Sequence, residues 1–187
     1  AGFELQIAAP PAGALATEIR RRDMVLLPLD FPTGAAHRQQ TDRRAVIRSV
    51  LRQSRPDLVH TNSLSMSRLT GPLVAEMDVP SLGHLRDILR LSRQAIADLN
   101  CHTRLLAVST ATRNWHVDQG LDAHRTFVLH NGVDLEEFAP RPPAGRLHNE
   151  LQLAPHVPLV GTIGQIGMRK GTDLFLQAAC QIAGSIP

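Results

Sequence analysis

Residues 160–171, VGTIGQIGMRKG, put four glycines between an apolar run and the helix-like segment TDLFLQAACQIA. A strand that passes through a glycine-rich turn into a helix presents backbone N–H groups where the helix dipole favours negative charge, which is the chemistry of phosphate binding. The spacing is not that of a Walker loop, and Gly161, Gly164 and Gly167 do not complete a dinucleotide G-x-G-x-x-G. By spacing alone the loop is equally a turn that needs glycine to change direction. Composition adds a second signal, because nineteen of the twenty basic residues are Arg and the only lysine in the chain is Lys170. An ammonium is a compact, mobile point charge and a guanidinium a planar fork, so the two are not interchangeable against phosphate. Lys170 is therefore the first candidate for an anion contact.

Positioning such a loop requires strands and helices, and the chain supplies them in alternation. Runs rich in β-branched residues and Leu fall near 3–8, 24–29, 57–61, 80–84, 104–108, 126–129 and 157–163. Segments of helical period fall near 12–22, 42–54, 65–76, 88–99, 109–119 and 172–183. That order predicts an α/β fold with a parallel sheet covered by helices. Pro56 and Pro80 precede strands, and Gly120 falls just past a helix, where a left-handed cap is expected. FAPRPPAGR at 138–146 is dense in Pro and Gly after six strand–helix alternations and reads as a linker between domains. The opening strand pattern and the helix pattern near the last residue lead to the expectation that both ends were cut from a longer chain.

Composition narrows the function classes. Twenty Lys+Arg against seventeen Asp+Glu give a formal charge of +3, which suits anionic partners, while 3% aromatic content with no Tyr argues against a stacking surface for nucleic acid. Cys101 and Cys180 form no C-x-x-C, and His102, His116, His124 and His130 show no metal-ligand spacing, so neither disulfide nor metal site is expected. No apolar run approaches a bilayer span, no signal segment opens the chain, and a cytoplasmic protein is the expectation. In the helix TDRRAVIRSVLRQSR, Arg44, Arg48, Arg52 and Arg55 recur beside an apolar stripe. They are either a solvated face or a peripheral contact with an anionic membrane surface.

Four segments resemble glycosyltransferase family 4 in the family's own order: PDLVHTNS at 56–63, VPSLGHLRD at 79–87, LLAVSTATR at 105–113 followed by VLHNGVDLEEF at 128–138, and VGTIGQIGMRKGTD at 160–173. The resemblance implies a GT-B architecture of two Rossmann-like domains. Residues 1–140 would be the acceptor-side domain without its first strand, glycine loop and first helix. Residues 141–187 would be the linker and first strand–loop–helix of the donor-side domain, with the family's paired glutamates beyond residue 187 and this chain alone inactive.

Site residues follow from the resemblance position by position. In the donor loop, Gly164, Gln165, Lys170 and Gly171 match the family's glycines, arginine and lysine, with Gln165 standing where Arg is usual. A neutral amide hydrogen-bonds a phosphate oxygen but brings no charge, unless Arg169 compensates. In the first domain, aligning on the family's T-x-H-D segment puts Arg86 at the His position with His84 two residues earlier, so these two are the catalytic candidates. Their alternative roles are a satisfied inward histidine and a salt-bridge partner of Asp87. His60 and Asn62 end a strand, where open α/β sheets place ligands, or they cap the next helix. Ser109 and Arg113 are further cleft candidates, with Ser109 alternatively an N-cap, and Asn131 lies in the segment that crosses between domains.

The function implied is transfer of a sugar from a UDP- or GDP-linked donor to a glycan or lipid-linked hydroxyl acceptor with retention of configuration, in cell-envelope polysaccharide or glycolipid synthesis. The nucleotide sugar is a substrate, and no cofactor or nucleic acid is implied. Two rivals stand: a non-catalytic nucleotide- or glycan-binding protein that keeps the GT-B fold, and a free-standing flavodoxin-like domain.

Overall fold

The computed structural model describes residues 2–31 and 38–183, without the side chains of residues 38–40 and 169. Strand and helix alternate: β1 (Gln6–Ala9), α1 (Ala14–Arg21), β2 (Val25–Pro28), α2 (Arg38–Ser54), β3 (Val59–Thr61), α3 (Leu64–Glu76), β4 (Ser81–Leu85), α4 (Arg93–Asn100), β5 (Arg104–Ala107), α5 (Thr110–Asp118) and β6 (Thr126–Val128). Then come α6 (Arg146–Glu150), a 3₁₀ turn (Met168–Lys170) and α7 (Thr172–Ala183). β1 pairs with β2, and β3-β4-β5-β6 form a second sheet; every pairing is parallel. Parallel neighbours cannot be joined by a hairpin, which is why a helix separates each consecutive pair. The architecture is α/β, as the alternation requires.

The chain divides into two units, residues 1–133 and 134–187. In the first, one apolar cluster gathers Leu64, Leu85, Leu99, Leu105, Ala107 and Leu121, and another gathers Leu29, Ile47, Leu51, Leu73 and Val74. α3 supplies Leu64 to one and Leu73 with Val74 to the other, because a helix of this length presents apolar residues along more than one line. α3 and α4 approach so closely that a Cβ on Gly71 would lie 2.1 Å from the Asp98 carbonyl oxygen, so only glycine fits there. On the same side, the Arg44 guanidinium of α2 reaches the buried Asp98 carboxylate at 2.9 Å and donates to the Arg68 carbonyl.

His102 ties sheet to helix. Its Nε2 lies 2.9 Å from the Ser67 carbonyl on α3 and its Nδ1 3.0 Å from the Ser81 hydroxyl on β4. A carbonyl only accepts, so Nε2 donates, and Nδ1 of the neutral ring accepts from Ser81. Burial lowers the pKa of this ring against the opposing pull of the Ser67 bond, which keeps it neutral.

Three expectations need correction. The segment expected as a strand at 157–163 pairs with nothing among the described residues, and its Leu159, Val160 and Ile163 are exposed; an extended run becomes a strand only when a partner completes its ladder. The helix expected from residue 88 begins at Arg93, because the Ser92 hydroxyl accepts the Ala95 amide and sets the N-cap there. α6 was not expected, and its left-handed Gly145 start sits inside the segment read as linker.

Candidate functional site

His60 and His84 come together through strand register. His60 is opposite Leu82 in the β3–β4 pair, and His84 lies two residues further along the same face. Their rings stack with centroids 5.5 Å apart and planes 24° from parallel. His60 is exposed, whereas His84 is only 5% exposed. Neither ring nitrogen of His84 has a hydrogen-bond partner among the described residues. The alternative of a satisfied inward histidine is thereby corrected: the ring is inward but unsatisfied, a costly arrangement for a buried polar group.

Arg86 follows β4 and completes this group. Burial first, then the Arg86 charge, lower the pKa of His60; for His84 the same two causes act in that order, with His60 as a third. Both causes favour the neutral imidazole over the charged one. A neutral imidazole offers one N–H donor and one acceptor, enough to engage a hydroxyl in either sense or to take up its proton.

The other first-unit candidates separate by role. Ser63, not His60 or Asn62, caps α3, its hydroxyl accepting the Met66 amide at 3.3 Å. That removes capping as the reason for either residue, and Asn62 is exposed beside the strand end. Ser109 caps α5, accepting the Thr112 amide at 3.1 Å. Arg113 donates to the carbonyls of Thr126 and Ala123 and so fastens α5 to β6. Both are accounted for by local structure. Asn131 is exposed beyond β6.

In the second unit the 3₁₀ turn ends at Gly171, whose φ of 65° lies in the left-handed region, and α7 starts at Thr172. Lys170 and Gln165 are exposed. Asp173 occupies the first turn of α7, where its charge suits the helix dipole but would also repel an approaching phosphate. The Arg169 side chain, a possible compensation for Gln165, lies outside the described residues.

The arginine stripe of α2 is not a free row. Arg44 is engaged by Asp98 and Arg48 by Glu76 at 2.8 Å, leaving Arg52 and Arg55 exposed. A cleft beside β1, β2 and α2 is lined by Gln6, Leu27, Pro28, Val50, Gln53 and Ser54, none of them a candidate. Among the described residues no three His, Cys, Asp or Glu side chains group as metal ligands, and no helix is long and apolar enough to cross a membrane.

Sequence reasoning missed the surface next to this site. Ile88 and Leu89, read as the first helical turn, form an exposed loop against Trp115 of α5; the signal that could have found it was Ser92, an N-cap residue four positions inside the expected helix.

Comparison with known proteins bears on the fold that carries these residues. The family model for Glycosyltransferase Family 4 matches residues 1–137. No curated protein matches the chain. Among solved structures, Anabaena Alr3699/HepE in complex with UDP-glucose is similar with a TM-score of 0.71 and 20% identity, covering 94% of this chain and 49% of that one. Acinetobacter baumannii MurG gives 0.51 at 15% identity, covering 73% and 37%. UDP-N-acetylglucosamine 2-epimerase from Rickettsia bellii gives 0.51 at 16% identity, covering 79% and 43%. The chain spans about half the length of the Anabaena protein.

Proposed function

Since the chain belongs to glycosyltransferase family 4, we propose that its parent protein transfers a hexosyl group from a nucleoside diphosphate sugar to a hydroxyl acceptor with retention of configuration, in cell-envelope polysaccharide or glycolipid synthesis. The observation that carries the reading is the His60–His84 ring pair with Arg86 at the carboxyl ends of parallel strands, where the buried His84 has no hydrogen-bond partner for either nitrogen among the described residues. Ligands of open α/β sheets bind at such ends. A sugar hydroxyl would relieve the unmet hydrogen bonding of His84, and Arg86 would meet developing negative charge.

The demanding step is departure of the diphosphate as the anomeric carbon becomes oxocarbenium-like. Groups that bind the leaving charge more tightly as it develops lower that barrier. Lys170, Gln165 and the Gly171–Thr172 start of α7 are the residues of this chain for that role. The donor is a UDP- or GDP-sugar bound as substrate, with no cofactor. The paired glutamates expected beyond residue 187 would contact the donor sugar and ribose, so the reading concerns the whole parent.

The test is titration of the intact parent with UDP- and GDP-sugars, with turnover measured alongside. Lys170→Ala is expected to weaken donor binding by about tenfold or more, the loss of a charged hydrogen bond. If binding and turnover both stay unchanged, the phosphate role is wrong. Gln165 in place of the usual Arg favours a second reading, a nucleotide- or glycan-binding protein without catalysis. In an enzyme, His84→Ala lowers turnover while donor binding persists; a binding protein shows no transfer before or after the change.

A further inference from the structure

The loop between β4 and α4 carries a surface that sugar transfer does not use. Ile88, Leu89 and Trp115 are 49%, 51% and 44% exposed. They belong to one patch, since the Trp115 indole N–H donates to the Leu89 carbonyl at 2.9 Å. The loop is also held rigidly. The Gln119 amide donates to the same carbonyl at 3.1 Å, the Leu91 amide donates to Gln119 Oε1 at 2.8 Å, and His116 Nε2 donates to the Asp87 carbonyl at 2.8 Å. Four hydrogen bonds between this loop and residues 115–119, at the C-terminal end of α5, thus fasten a loop whose Ile88 and Leu89 stand out in water beside the exposed Trp115. Scattered exposed apolar residues are ordinary, but a fastened cluster is a surface built to be covered.

Charge around the patch says what covers it. Arg86, Arg90 and Arg93 are all exposed along the same segment. The segment from 86 to 93 holds three arginines to one aspartate, Asp87, and α5 adds Asp118 near its end. A tryptophan whose polar edge is bonded and whose ring is open, beside exposed branched aliphatics on a loop that also carries the exposed Arg90 and Arg93, matches the boundary between headgroups and acyl chains. There aromatic rings settle, aliphatic side chains enter the hydrocarbon, and guanidinium groups meet phosphate.

We propose that Ile88, Leu89 and Trp115, with Arg90 and Arg93, form a docking face for an anionic lipid surface. The face begins two residues after Arg86, so docking would hold the His60–His84 ring pair close to the bilayer, within reach of an acceptor that keeps its lipid in the membrane. This relocates membrane contact from α2, where two of four arginines are consumed by ion pairs within the first unit.

Trp115 is the only tryptophan of the chain, so its fluorescence reports on this patch alone. The full chain is mixed with vesicles of phosphatidylcholine, or of phosphatidylcholine with about a third phosphatidylglycerol. Docking predicts sedimentation with the anionic vesicles, a blue shift of Trp115 emission, and quenching by lipids brominated on the acyl chain. Ile88→Ser with Leu89→Ser is expected to weaken binding about tenfold or more. Arg90→Glu with Arg93→Glu should do the same at low salt and less at high salt. Circular dichroism confirms that each variant is folded. Absence of sedimentation, equal binding to neutral vesicles, or sedimentation with Trp115 unquenched overturns the proposal; so does a blue shift produced by an acidic protein but by no vesicle. No donor sugar enters the assay, so its result is independent of whether the protein is a transferase.

Discussion

The first unit closes its core and the second does not, though both are written in the same strand–loop–helix idiom. Leu85, Leu99, Leu105 and Ala107 are at most 1% exposed, whereas neither α6 nor α7 has a buried residue. Val160, Ile163 and Ile166 of the second unit stand open to solvent. The difference teaches that an amphipathic pattern states a demand for cover rather than its fulfilment. In the first unit strands β3 to β6 pair and helices seal them. In the second, the strand-like run at 157–163 pairs with nothing among the described residues, and no described residue of α7 is buried.

The sharpest way to break this contrast is matched truncation of leucines. Leu99→Ala in the closed core is expected to cost about 3–4 kcal/mol by urea denaturation, while Leu176→Ala on α7 should stay within about 0.5 kcal/mol. Comparable losses at both sites would mean that the second unit is covered after all. A middle-sized effect is expected at Arg44→Ala, which leaves the Asp98 carboxylate buried and uncompensated, at about 2 kcal/mol after allowance for the partly exposed arginine. Asp98→Asn with Arg44→Met should recover part of that loss; failure to recover any of it would show the pair to be incidental.

The smallest expected effect is pH dependence confined to the first unit. His60, His84 and His102 all have folded-state pKa values lowered from 6.5, chiefly by burial. Below about pH 6.5 the unfolded chain takes up protons that the folded rings refuse, so stability is fully present above that pH and declines as pH falls toward the lowered values. Urea midpoints followed by Trp115 emission should therefore fall as the pH drops below about 6.5, and His84→Phe should flatten the slope. A rising midpoint would contradict the burial of His84 and His102.

Much of the fold was legible because it rests on local periodicity. β1 to β6 and five of the helices lie where runs of Leu and β-branched residues alternate with helical spacing. What escaped depends on partners that local pattern does not name. The start of α4 followed a single capping serine against the pull of Ile88 and Leu91, and the run at 157–163 lacked a neighbour to make it a strand. The site was legible in the same uneven way. His60 and His84 could each be placed at a strand end, but their stacking required the register of β3 on β4, and the unmet nitrogens of His84 required the packing around it. Ser109 and Arg113, equally prominent as letters, prove to be engaged in fastening α5.

The imidazole of His102 carries a consequence for that ring pair. By clasping Ser67 on one side and Ser81 on the other, it fixes the gauge between α3 and the strand that bears His84. An edge with a fixed gauge does not widen to admit a bulkier guest. If a ligand is held at that edge, changes in what it admits fall to the side chains at positions 60, 62, 84 and 86, while the track beneath them stays the same width.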